Sequence, residues 1–125
     1  MASIIETERL LIREFNLDDV EFIVVLLNTP AWLQFIGDRG VRNIEDAKNY
    51  LLNGHMESYR VNGFGLCMVE LKDGLVPIGM CGLIKRDVLD EIDIGFAFLP
   101  QYTGKGYGYE AAATRNFILG AKPVR

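Results

Sequence analysis

Apolar residues recur every three or four positions through the first half of the 125-residue chain and then shift to short continuous runs separated by turn residues. Leu10-Leu11-Ile12, closed by Arg13 and Glu14, reads as a short strand from Arg9 to Phe15. Val20, Ile23, Val24 and Leu27 then mark one face of a helix from about Asp19 to Asn28, with Asn16 or Asp18 as its cap and Pro30 expected to end it. Trp32, Phe35 and Ile36 predict a brief helical turn before Gly37, and a second helix begins at Asn43 or Ile44 with Ala47, Tyr50, Leu51 and Met56 along one side. Gly54 is its weak point. From Phe64 three strands are expected, Phe64 to Lys72, Val76 to Arg86 and Ile92 to Leu99, forming an antiparallel meander. Asp73-Gly74 signals a turn, and Leu75 to Pro77 predict a hairpin longer than two residues. Pro100 ends the last strand, and Glu110 to Leu119 reads as a helix. The order β-α-α-β-β-β-α predicts one α/β domain over residues 1–125.

Composition narrows the function classes. Half of the residues are hydrophobic, enough for a core without disulfides or metal. Thirteen Lys and Arg against 17 Asp and Glu give a net charge of -4, which argues against a broad nucleic-acid surface. No apolar run approaches a membrane span, and the acids and arginine of the first nine residues oppose a signal peptide, so a cytoplasmic protein with neither membrane nor nucleic-acid partners is expected. Cys67 and Cys81 lie in apolar runs and read as reduced, buried thiols. His55, the only histidine, is expected at the surface beside Glu57 and Arg60, and no ligand spacing suggests a metal site.

Candidate chemistry concentrates in Pro100-Gln-Tyr-Thr-Gly-Lys-Gly-Tyr-Gly-Tyr-Glu-Ala111, where a strand feeds a glycine-rich turn that opens onto a helix. Gly104, Gly106 and Gly108 allow the backbone to bend through positive φ and aim several N-H groups at an anion, with the helix start adding partial positive charge. A flexible surface turn is the competing reading. Lys105 is followed by Gly106 rather than Ser or Thr, so the Walker pattern fails; the dinucleotide pattern begun at Gly104 fails at Tyr109.

With these residues in view, the chain resembles the GNAT superfamily of acyl-CoA-dependent N-acyltransferases, especially the branch of ribosomal-protein N-terminal acetyltransferases. Thr7-Glu8-Arg9-Leu10-Leu11-Ile12-Arg13, Asp93-Ile94-Gly95-Phe96 and Pro100 to Ala111 carry the resemblance. The family's pyrophosphate signature, Q/R-x-x-G-x-G/A, fits Gln101, Gly104 and Gly106 by letter; a second register on Thr103, Gly106 and Gly108 better matches the placing of Pro100 and Glu110-Ala111 and is preferred. The resemblance implies a mixed, mostly antiparallel sheet with flanking helices and acetyl-CoA as cosubstrate. Its phosphates would lie on Thr103, Gly104, Lys105, Gly106, Tyr107 and Gly108, and its pantetheine along main-chain groups of Phe96, Ala97, Phe98 and Leu99. The side chains of Phe96 and Phe98 themselves read as core.

The resemblance further implies direct transfer of an acetyl group to a primary amine. Asp93 is the first candidate base, directly or through water, with Glu91 as fallback two residues earlier on the same strand face; both also read as ordinary solvent-facing strand acids. Family members normally continue beyond Gly120 with a strand, a helix and a closing hairpin, which are expected to be missing here. A noncatalytic acyl-CoA-binding module or a truncated, inactive relative is therefore the alternative function, and a homodimer that covers an exposed sheet edge is one arrangement this allows. Protein N-termini and small-molecule amines both remain open as acceptors.

Overall fold

The computed structural model describes residues 5–86 and 91–113, with residues 85, 86 and 91–93 described in backbone only. Five strands, β1 (Ile5–Glu6), β2 (Leu10–Arg13), β3 (Leu66–Leu71), β4 (Val76–Arg86) and β5 (Glu91–Phe98), form one sheet in sequence order. Every pairing is antiparallel, so the expected meander is present and is extended at its start by β1 and β2. The β3–β4 connection is longer than two residues, as Leu75 to Pro77 suggested, and Gly74 and Leu75 both take positive φ, 87° and 52°. β4 is the longest strand, and β5 pairs with it from Gly79↔Phe98 to Arg86↔Glu91. β5 stands last in the order, so its second edge has no strand beside it among the described residues.

The helical half contains more punctuation than its periodicity showed. Asn16 opens a 3₁₀ turn, Leu17–Asp19, by accepting from the Asp18 amide at 2.8 Å while the Asp19 carboxylate accepts from the Asn16 amide at 2.9 Å. Helix α1 (Val20–Leu27) follows. Pro30 does not end it: α1 stops at Leu27, and Pro30 instead starts α2 (Pro30–Phe35), where Thr29 Oγ1 accepts from the Trp32 amide. A proline is tolerated there because the first helical N-H needs no intrahelical partner. Asn43 caps α3 (Ile44–Asn53), and the predicted second helix breaks at Gly54 before resuming as α4 (His55–Asn62). A Cβ at Gly54 would lie 2.8 Å from the Tyr50 carbonyl oxygen. Helix α5 (Tyr107–Ala113) begins three residues before the expected start, and the remainder of the expected helix, to Leu119, lies outside the described residues.

The sheet separates two cores. On one face Ile23, Leu26, Leu27, Trp32, Ala47 and Leu51 pack with Met68 and Met80; on the other Leu10, Ile12, Val69, Ile78, Cys81 and Leu83 pack with Ala111 of α5. The strand period of two sends adjacent side chains to opposite faces, which is why Met68 and Val69 enter different cores. His55 corrects the sequence reading: it is buried, stacked on Phe15 at 5.2 Å between ring centroids and edge-on to Tyr50 at the same separation. His55 continues the four-residue spacing of the buried Ala47 and Leu51, and burial pushes its pKa down to about 4. Tyr59 ties α4 to the sheet by accepting from the Phe15 amide and donating to the Leu66 carbonyl. Cys67 and Cys81 are free thiols on directly opposed positions of β3 and β4, each pushed up to about 12 chiefly by burial.

Candidate functional site

At the end of β5 the chain makes a 3₁₀ turn, Pro100–Tyr102, and then passes through Gly104 and Gly106 with φ of 76° and 84° before entering α5. An L side chain would be strained at either glycine. Nothing stands within 4 Å of the position a Cβ would take on Gly104, so that residue faces open space. Gly108 is different. It lies inside the first turn of α5, where a Cβ would make ordinary van der Waals contact with the Phe98 ring at 3.4 Å and the Phe96 ring at 3.5 Å, so α5 lies against β5 here without requiring a glycine. Tyr107 is also helical, and its ring faces Tyr102 at 6.3 Å. The Thr103 hydroxyl donates to the Pro100 carbonyl at 2.8 Å and so steadies the turn. Lys105 is exposed.

A contact spanning most of the chain holds this loop. The Glu110 carboxylate accepts from the Thr7 hydroxyl at 2.5 Å, the Arg9 amide at 2.8 Å and Arg9 Nε at 2.6 Å. Burial pushes the Glu110 carboxyl up, but these hydrogen bonds together hold it below the usual carboxylate range. Arg9 Nη1 also donates to the Lys105 carbonyl at 3.2 Å, and the guanidinium lies 4.4 Å above the centre of the Tyr107 ring. Thr7 and Arg9 belong to the resemblance-bearing first segment, yet their meeting with Glu110 is invisible in sequence because the partners are 103 and 101 positions apart.

Beside the loop, a cavity of about 250 Å³ runs between α1, α2 and β5, with Leu26, Trp32 and Phe35 on the helical side, Phe96, Ala97 and Phe98 on the strand side, and Thr103 at the loop. Five of the residues singled out by sequence therefore share one surface feature or its immediate surroundings: Phe96, Ala97, Phe98 and Thr103 line it, and Leu99 follows directly. Phe96, which the sequence places in the core, is instead more than half exposed at 56%. Trp32 was read only as a helix marker; it is 5% exposed, and its indole Nε1-H has no acceptor among the described residues. A second depression of about 390 Å³, lined by Arg39, Asp46, Asn49, Tyr50 and Asn53 among others, shares no residue with the loop or with β5. Asp93 and Glu91 stand opposite Ile84 and Arg86 in the β4–β5 pairing, and their side chains lie outside the described residues. Among the described residues no group of three His, Cys, Asp or Glu could hold a metal ion, and no helix is long and apolar enough to cross a membrane.

Residues 9–116 match the profile of the acetyltransferase (GNAT) domain. A solved GNAT-family acetyltransferase from Bacillus anthracis is 27% identical with a TM-score of 0.68, the match covering 94% of this chain and 64% of that one. An acetyltransferase from Agrobacterium tumefaciens str. C58 is 22% identical with a TM-score of 0.70, over 88% of this chain and 62% of that one. A candidate ribosomal-protein-serine acetyltransferase from Vibrio cholerae, 18% identical with a TM-score of 0.66, shares the fold over 88% of this chain and 62% of its own. The chain thus spans less than two thirds of each of these structures. No curated protein matches.

Proposed function

Because the chain belongs to the GNAT acetyltransferase domain family, we propose that it transfers an acetyl group directly from acetyl-CoA to a primary amine. The observation that carries this reading is the meeting of three features at one place: a loop with two positive-φ glycines, an edge strand without a neighbour among the described residues, and an apolar cavity along that edge. Acetyl-CoA has the matching parts. Main-chain N-H groups around Gly104, Lys105 and Gly106 suit a pyrophosphate, since they give directed donors without a Cβ in the way. Main-chain groups of Phe96 to Leu99 suit the amides of pantetheine, which would pair with β5 as an added strand does.

The cosubstrate supplies a thioester carbonyl as electrophile. This chain's part is to hold it, exclude water with the apolar wall of Trp32, Phe35 and Phe98, and relieve the incoming amine of its proton. Asp93 takes that proton in this reading, directly or through a water, with Glu91 two residues away as the fallback. The amine nitrogen forms the new bond to the acetyl carbon as the carbon–sulfur bond breaks, and the thiolate leaves. An acceptor on a protein N-terminus fits the branch suggested by the first segment; a small-molecule amine fits the same chemistry.

The test is calorimetric titration with CoA and acetyl-CoA, beside a Gly106→Glu variant. Binding by the unmodified chain and its loss in the variant are expected, because the substitution adds both backbone strain and a like charge at the loop. Thiol release on adding amines is then expected to fall at least about 100-fold in Asp93→Asn, the scale of a lost general base. Binding without thiol release from any amine selects the alternative, a noncatalytic acyl-CoA-binding module. A folded chain that binds neither ligand overturns the reading.

A further inference from the structure

The Arg9 guanidinium has one nitrogen to spare. Nε is held by Glu110 Oε1 and Nη1 by the Lys105 carbonyl, whereas Nη2 has no hydrogen-bond partner among the described residues. That nitrogen lies 3.5 Å from the point where a Cβ would project from Gly106, and beyond Lys105 and Tyr107 no other heavy atom of the described residues comes within 4 Å of that point. Glu110 does not use it either: Oε2 takes the Thr7 hydroxyl and the Arg9 amide, and Oε1 takes Nε.

We infer that Arg9 is a phosphate-binding residue of the site, donating from Nη2 to an oxygen of the CoA pyrophosphate beside the main-chain amides of the glycine loop. This rests on the acetyl-CoA reading above and adds to it a charged donor from the opposite end of the chain. The physical case has three parts. Arginine carries several N-H groups in a fixed fork, so two can be anchored while a third stays available. An arginine already tied down on Nε and Nη1, with its plane over the Tyr107 ring, has little rotamer freedom left to lose when a ligand arrives. A charge-assisted bond to a phosphate is stronger than one from a neutral amide. Glu110 offsets the charge of Arg9 at long range, so the contribution is directional binding rather than steering.

The experiment compares CoA with pantetheine, which lacks phosphates, on the unmodified chain, Arg9→Met and Arg9→Lys at a temperature where circular dichroism shows all three folded. Arg9→Met is expected to weaken CoA binding about tenfold or more and to leave the pantetheine-induced shifts of β5 amides unchanged, with Arg9→Lys falling between. An equal loss for both ligands would make Arg9 a purely structural brace and overturn the inference, as would no loss for CoA. If Arg9→Met does not fold, the unmodified chain decides the matter: the arginine side-chain NMR signal absent from Arg9→Lys must shift on saturation with inorganic pyrophosphate, and a signal that stays in place refutes the assignment. An unmodified chain that binds neither CoA nor pantetheine instead refutes the functional reading itself, before any variant is compared.

Discussion

A neutral imidazole packed between Phe15 and Tyr50 makes the stability of this molecule depend on pH. His55 is buried at 8% exposure, and its pKa falls from 6.5 to about 4 through the loss of water around the charged form. The unfolded chain therefore binds the proton more readily than the folded one. The stability tied to this neutral ring is fully present above pH 6.5 and is lost as pH falls towards 4. A gap of about 2.5 units corresponds to about 3 kcal/mol. Urea midpoints measured across that window are expected to drop steeply, and His55→Phe, which keeps the stack and removes the titration, is expected to flatten the profile. The charged neighbours Glu57 and Arg60 point to the surface, but the spacing of four from the buried Ala47 and Leu51 to His55 was the signal that outweighs them. Phe96 shows the reverse, an aromatic in an apolar run that lies at an uncovered edge and so keeps more than half of its surface exposed.

Among the elements, the approach of β4 to β5 depends on a residue without a side chain. A Cβ at Gly79 would meet the Ala97 carbonyl oxygen and come to 2.9 Å from Phe98 Cα, both backbone atoms that cannot rotate away. Gly79→Ala is expected to destabilise the fold by about 1–3 kcal/mol, typical of overpacking. It should also weaken CoA binding, because the displaced segment is Ala97 and Phe98, where pantetheine is proposed to lie. Chemical denaturation and calorimetry read the two effects separately; an unchanged denaturation midpoint would show that the strands part at no cost. Strands β2–β5 were legible, since their boundaries follow apolar runs and turn residues to within two positions, whereas the two-residue β1 gave no such run. The helical half was less so. Pro30 looked like a terminator because a proline cannot continue a helix, but the same property suits it to start one once Thr29 supplies the cap. The glycine loop was legible as a candidate from local sequence, whereas its bracing by Thr7 and Arg9 was not, because nothing local links partners so distant in the chain.

For the whole molecule, helices α1–α4 cover one face of the sheet and α5 the other, while the outer edge of β5 has no strand beside it among the described residues and its Phe96–Phe98 end borders the cavity. An edge strand presents main-chain donors and acceptors to whatever pairs with it. A second copy of the chain that paired with β5 would compete with the proposed pantetheine arm for the same groups. Light scattering is expected to show mass above the monomer as concentration rises and a return towards the monomer on saturation with CoA. Association that CoA leaves untouched would place the contact elsewhere. The clasp between Arg9 and Glu110 carries a consequence for the order of events during synthesis. Arg9 leaves the ribosome early, yet its partner follows 101 residues later, an interval of about 5–20 s at ordinary translation rates. During that time the nascent chain can form its first helices and pair β2 with β3, but Arg9 waits without the partner that braces the loop. The glycine loop is therefore the last part of the described fold to be braced, and its bracing is complete only when the beginning of the chain meets the helix that follows the loop.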